Sequence, residues 1–407
     1  MREMKESGIE WIGEIPANWN ITKIKYLTRC YDGKRKPIDS SKRQDGIYPY
    51  WGAGSITDYI DDYIFDEELI LLGEDGAPFF DDYRPVSFLV NERIWVNNHI
   101  HVLKSKENVD SSFLVHFLNS VNYRKYINGS ILNKLTQSNM NNIEVCLPSF
   151  SLQQIIANFL DEKCGEIDSL KSDIQKQIET LQEYKKSVIT EAVTKGLNPN
   201  VEVKDSGIEW CGKIPVNWNV LPNKYIMKKV KNICVKYNNE PILSLTMKGV
   251  VKRDLDAGGK MPTSFDGYQY IIPNNLLMCL FDYDVTPRCI GLINDYGITS
   301  PAYSQFKMKN ENSERYYYYY YLMIDNTKEL LHLAKNLRHS FTEEQLGLIK
   351  TPMPPIKEQQ IIADFLDEKC NEIDEIIKTK NKQLETLEQY KKSLIYEYVT
   401  GKKEVLE

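Results

Sequence analysis

The chain has 407 residues, 42% apolar and 27% charged, with a formal net charge of −6. That is long enough for two ordinary cores, and the composition is that of a folded, water-soluble protein. No apolar run approaches membrane-spanning length, the start MREMKESGIEW carries no apolar signal core, and the eight cysteines include no C-x-x-C pair. The expectation is a cytoplasmic chain with reduced thiols, not a membrane protein or a disulfide or zinc framework.

Two sequence blocks occur twice, in the same order. SGIEWIGEIPANWN (Ser7 to Asn20) returns as SGIEWCGKIPVNWN (Ser206 to Asn219), and QQIIANFLDEKCGEID (Gln153 to Asp168) returns as QQIIADFLDEKCNEID (Gln359 to Asp374). The offsets are 199 and 206 residues, and about two-thirds of the positions from Gln153 to Ser187 match their partners. The stretches between the blocks, 21–146 and 220–351, share little. Such a repeat dictates architecture before any local motif does.

In chain order, the first block leads into a basic stretch, Lys23 to Arg43, with a local excess of about six positive charges. Acidic residues concentrate from Asp58 to Asp82. From Ser151 to about Thr194 the pattern is helical, with Ile167, Leu170, Ile174, Ile178, Leu181, the Lys185 stem and Val188 on one stripe. Ser151 with Gln154 fits a capping box, and Gly196 ends the run. A second basic stretch, Lys224 to Lys260, follows the second block, and a second helix runs from about Pro355 to Gly401. Its stripe is Ile373, Ile376, Leu384, Leu387, Leu394 and Tyr398. An apolar stripe about 40 residues long cannot face water, so the two helices are expected to pack antiparallel in a coiled-coil-like pair. The ends of the chain, read end to end, nearly rebuild the middle junction, which predicts termini close in space and an approximate two-fold repeat.

The order PSFSLQQIIANFLD, long helix, LQEYKKSVITEAVT, SGIEWCGKIPVNW, variable stretch resembles the specificity subunits of type I restriction–modification systems, over the whole chain. The resemblance implies an α+β fold in four segments. These are a first target-recognition domain (1–147), a central helix (148–197), a second target-recognition domain (198–353) and a distal helix (354–407). It implies a non-catalytic subunit that reads a gapped, asymmetric double-stranded DNA target, one half-site per domain. The implied partners are two modification subunits, which hold the S-adenosylmethionine, and restriction subunits that translocate and cleave. No cofactor is expected in this chain. A methyltransferase-only or Type IIB-like system, or a coiled-coil scaffold without DNA function, stands as the alternative. The absence of an N/D-P-P-Y/F motif, a glycine-rich nucleotide loop and a P-loop agrees with a chain that does no catalysis.

Candidate DNA contacts follow from charge and polarity. In the first domain they are Lys34, Arg35, Lys36 and Arg43 on a basic loop, whose bland reading is a solvated surface. WVNNHIH alternates like a strand, placing Asn97, His99 and His101 on one face, for hydrogen bonding rather than for a metal. YPYWGAGS is either a close backbone approach to DNA or a turn packed on the core. In GSILNKLTQSN, where the resembled family has a polar loop, Lys134, Thr136 and Gln137 are candidates. The second domain offers Lys248, Lys252 and Arg253 around a GVVKRD loop, Lys260, Arg288, and Arg338 and Thr342 of NLRHSFT. The last aligns with GSILNKLT at the 206 offset. Six tyrosines, Tyr316 to Tyr321, read as a core element rather than a base-stacking platform.

Overall fold

The computed structural model describes residues 2–81, 83–128, 133–255, 262–334 and 339–405. The chain divides into two compact units, Met1–Gln175 with Lys380–Glu407, and Lys176–Thr379. Four described helices are ten residues or longer: α1 (Ser111–Ser120), α2 (Phe150–Lys195), α3 (Glu314–Thr327) and α4 (Ile356–Val399). The rest is short strands and turns.

The first unit is built on a four-stranded antiparallel sheet in the order Thr28–Cys30, Ile100–Ser105, Leu69–Gly73, Ser87–Val90. The strand LILLG is buried along its whole length. Because side chains alternate across a strand, Ile70 and Leu72 pack with Phe113 and Phe117 of α1, while Leu69 and Leu71 pack with Phe65, Ile94 and Val102. That second face is closed by another sheet, Ile56–Ile60, Asp45–Trp51, Arg93–Val96, Phe65–Asp66, in which Arg93–Val96 runs parallel to Asp45–Trp51. Tyr50 and Trp51 are buried within it, so YPYWGAGS is a strand and turn packed on the domain.

The second unit repeats this plan with different side chains. Its main sheet runs Met227–Val230, Ser304–Met308, Leu276–Met278, Ile290–Leu292, again antiparallel. α3 occupies the place of α1, and Asp110 and Ser313 cap the two helices in the same way, each accepting from the backbone N–H three residues on. The tyrosine run lies on α3, with Tyr316, Tyr317 and Tyr320 fully buried. Thr136 and Thr342, paired by the 206 offset, each cap a short helix, Gln137–Asn141 and Glu343–Leu348. Two stretches that share little sequence therefore share a sheet order and their caps.

The repeated blocks do the same work in each unit. Ser7 and Ser206 fold the first block into a turn in which the hydroxyl accepts from the N–H of Ile9 or Ile208 at 3.1 Å. Gly13 (φ +70°) and Gly212 (φ +58°) accept the closing bond from the serine N–H, in a left-handed conformation that suits glycine. Trp19 and Trp218 are buried beside the glycines that end the long helices, Gly401 and Gly196. At the start of each long helix a buried glutamine joins it to the domain. Gln153 Oε1 accepts from Asp110 N at 2.9 Å, and Gln359 Oε1 accepts from Ser313 N at 2.9 Å.

Within the first unit the opening half of α2 runs antiparallel to the closing half of α4. Lys391 bonds both Asp168 oxygens at 2.7 Å, Lys171 pairs with Glu388, and Phe159 meets Tyr398 with centroids 4.6 Å apart. Within the second unit the repeat-equivalent pair, Lys185 and Asp374, makes the same bidentate contact at 2.7 Å. Arg2 meets Glu404 at 2.9 Å, so the termini are close.

Three expectations for the long helices and the first unit need correction. Ser151 lies inside α2, which starts at Phe150, so it is not the helix cap. Leu170 and its counterpart Ile376 are half-exposed and do not belong to the buried stripe. WVNNHIH is not one strand. Arg93–Val96 ends where the Asn97 side chain accepts from His99 N at 2.8 Å, and a new strand starts at Ile100, leaving His99 exposed and His101 buried.

Replacing Gln359 by alanine orphans the Ser313 N–H and two further partners, Pro354 O and Asn312 Oδ1. The expected loss is about 2–4 kcal/mol in urea unfolding, against less than about 0.5 kcal/mol for the exposed neighbour Gln360→Ala.

Candidate nucleic-acid interface

In the first unit the strand Thr28–Cys30 delivers the chain to a short 3₁₀ turn, Asp32–Lys34. Asp32 accepts from Val102 N at 2.9 Å and lies 2.6 Å from His101 Nδ1. His101 Nε2 donates to Leu135 O at 2.8 Å, which fastens the segment carrying Lys134, Thr136 and Gln137 to the sheet. Arg35 donates to Glu74 at 2.6 Å, to Ile100 O at 2.9 Å and to Asp32 O at 3.0 Å. Glu74 and Asp75 both face Lys134, at 3.3 and 3.5 Å, and Asp75 also binds His99.

Five predicted residues, Arg35, His99, Lys134, Thr136 and Gln137, are thus gathered around one acidic scaffold. Gln137 reaches Cys30 Sγ at 3.1 Å. Burial pushes the Asp32 carboxyl up, but the His101 bond and charge, the Val102 N–H and Arg35 outweigh it, so Asp32 sits below its ordinary value of 3.8. The Glu74 bond and charge raise Lys134 above its usual value despite partial desolvation, keeping it cationic. Asp32, Glu74 and His101 place three donor atoms within 4.8 Å of one another. The Arg35 guanidinium already pairs with both carboxylates, so the cluster is balanced by the protein's own cation.

Exposure separates the candidates. Arg35 is 14% exposed and committed to the scaffold. Arg43 is held by Ile38 O and Asp58 and lies over the Tyr50 ring at 4.1 Å. The exposed Lys34 holds its ammonium over the Tyr31 ring at 4.0 Å, and Lys36 is exposed while its carbonyl accepts from Trp95. Lys34, Lys36, His99 and Gln137 form the polar surface, with Asn97 shaping its turn.

In the second unit GVVKRD is not a loop: Gly249–Lys252 is a strand paired with Leu243–Thr246 in a hairpin. Lys248 lies in its exposed turn, Lys252 is 3.9 Å from Asp295, and Arg253 N bonds Ile242 O. Arg288 belongs to a different network, donating to Asn326 at 3.2 Å and to the buried Asp325 at 3.4 Å. Thr342 serves a complete capping box with Gln345. Lys260 and Arg338 lie outside the described residues.

A family model described as the type I restriction modification DNA specificity domain matches residues 16–180 and 290–386, more than half of the chain. The chain belongs to that family. It is similar to the MjaVIII specificity subunit of Methanocaldococcus jannaschii, 24% identical over 95% of this chain and 93% of the relative. A putative specificity subunit of Haemophilus influenzae, S.HindORF215P, is 34% identical over 33% of this chain, a match spanning 34% of the relative's length. A solved chain, from a structure titled for complex assembly and conformational transition of the type I R-M system, superposes with a TM-score of 0.68. It covers 95% of this chain and 99% of its own at 12% identity, a likeness of fold. Among the described residues of this specificity-family chain, no helix is long and apolar enough to cross a membrane.

The residues that sequence reasoning missed are the anions. Asp32, Glu74 and Asp75 position the cations, yet Glu74 and Asp75 were visible only as part of an acidic stretch. Asp32→Ala is expected to cost about 2–4 kcal/mol at pH 7, because it removes the partner of the buried His101 and of the Val102 N–H and one of the two carboxylates on Arg35. A carboxyl depressed in the fold contributes fully above its unfolded value and loses that contribution as pH falls through the folded value. The gap between wild type and variant should therefore narrow below about pH 4, read by urea unfolding at pH 7 and pH 3.

Proposed function

We propose that this chain is the DNA-reading subunit of a type I modification complex, each unit reading one half of a gapped, asymmetric double-stranded target. The observation that carries this reading is one scaffold built twice, with the same sheet order and caps but unlike side chains at the loops. A single reader duplicated for symmetry would keep those side chains alike. In the first unit Lys34, Lys36, His99, Lys134 and Gln137 are the readers, with Asn97 and Thr136 holding their backbone and Arg35 and Arg43 bracing the loop. In the second, Lys248, Lys252 and Arg253 take the reading role, with Lys260 and Arg338 as further cations, Arg288 as a brace and Thr342 as a cap. Lysines supply phosphate affinity, while His99 and Gln137 carry the donors and acceptors that discriminate base edges.

The chain itself performs no chemistry in this reading. Two modification subunits carry S-adenosylmethionine and methylate adenine, and restriction subunits act on unmethylated DNA. Two short readouts carried on one chain act as one longer and more specific site.

The test is a map of methylated adenines in cells carrying the chain and its modification partner. A two-part gapped motif is expected only when both are present. Exchanging residues 21–146 for those of a relative should change one half of the motif and leave the other; a change in both halves would sink the modular reading. Lys34→Ala with Lys36→Ala should weaken binding to all sequences alike and reduce the salt slope by about 2, measured by DNA titration across salt concentrations.

A further inference from the structure

One surface feature is the same in both units although it lies within the stretches that otherwise differ. After the first repeated block, Lys25 and Tyr26 recur as Lys224 and Tyr225 at the 199 offset, each pair on a single helical turn. Both tyrosines are exposed, 63% and 55%. The lysine ammonium stands over its neighbour's ring in each case, at 4.9 and 5.3 Å. A further lysine frames each turn. Lys106 N bonds Leu27 O at 2.9 Å and its Nζ bonds Lys25 O at 3.1 Å, while Lys309 N bonds Ile226 O at 2.8 Å and its Nζ bonds Lys224 O at 2.6 Å. Among the described residues none of these four lysines has a carboxylate within ion-pair distance. Glu107, next to Lys106, and Glu311, two residues beyond Lys309, make no such pair.

A patch that is identical in two unlike readers cannot distinguish two half-sites, so it serves something the halves have in common. In the first unit it lies at the far end of strand Thr28–Cys30 from the Asp32–Glu74 network, about 10 Å along the strand. That position lies apart from the surface assigned to base reading. Tyrosine is enriched at protein interfaces, and an unpaired ammonium beside it favours a partner that presents a carboxylate. We propose that Tyr26 with Lys25, and Tyr225 with Lys224, are twin docking points for two copies of one protein that presents a carboxylate-lined pocket, the modification subunit. The proposal rests on the assembly reading above and names the residues through which it operates.

The purified chain is mixed with its cognate modification subunit, and the stoichiometry is read by native mass spectrometry and sedimentation. Wild type binds two copies. Lys25→Glu with Tyr26→Ala should leave one copy per chain, Lys224→Glu with Tyr225→Ala should also leave one, and the fourfold variant should bind at least 100-fold more weakly. DNA affinity of each variant chain alone should stay within threefold. Two copies retained in every variant overturns the proposal. So does intact assembly with DNA affinity down more than tenfold and a shallower salt slope, which would make the patch a phosphate contact. A wild-type chain that binds no modification subunit defeats the assembly reading itself. If a variant fails to fold, p-benzoyl-phenylalanine replaces Tyr26 or Tyr225 in the otherwise native chain. Each should photo-crosslink to the modification subunit, whereas the same probe at exposed Tyr59 should not; absence of a crosslink at both sites counts against the proposal.

Discussion

The fold depends on covering the apolar stripe of each long helix. Neither helix can leave Ile167, Ile174, Ile178 or Ile373 in water, and neither unit has enough helix of its own to cover them. Each unit therefore takes half of one helix and the opposite half of the other, and the pairing is fixed by Lys391 on Asp168 in one and Lys185 on Asp374 in the other. Exposed ion pairs of this kind add little stability, so their part is register. The apolar stripe supplies the drive, and the buried glutamines Gln153 and Gln359 tie that drive to the sheets.

Upon that frame the two sheets need only keep their alternation. LILLG in one unit and Leu276–Met278 in the other bury both faces with different residues, and α1 and α3 fill the same place with phenylalanines in one case and tyrosines in the other. Volume and pattern are what a core requires, which leaves loop sequence free to diverge without moving the strands. That freedom lets one scaffold be built twice with unlike loops.

The long helices were legible because their spacing, their end glycines and their repetition all agree; Ser151, read as the cap, lies inside the first helix, and Leu170 and Ile376, read on the stripes, are half-exposed. The tyrosine run was legible as core for the same reason, a continuing apolar pattern. The common sheet order of the two inserts was not, since alternation says which face a residue takes but not which strand lies beside it. WVNNHIH misled because a side-chain bond from Asn97 breaks the strand without changing the alternation. The Asp32–Arg35–Glu74–His101 network was equally hidden, because its members lie up to 69 positions apart and meet only when the sheet forms.

The division of the chain has a consequence for its synthesis. The second unit is one continuous stretch, while the first is completed by residues from Lys380 onward. A ribosome making this protein releases the N-terminal domain long before the helical segment that covers its half of α2. The second unit can close as soon as its last residues emerge, so it is the first to be finished although it is the second to be made. Until then the nascent first unit carries an uncovered isoleucine face, which makes this interval the one in which a chaperone or an early partner has most to bind.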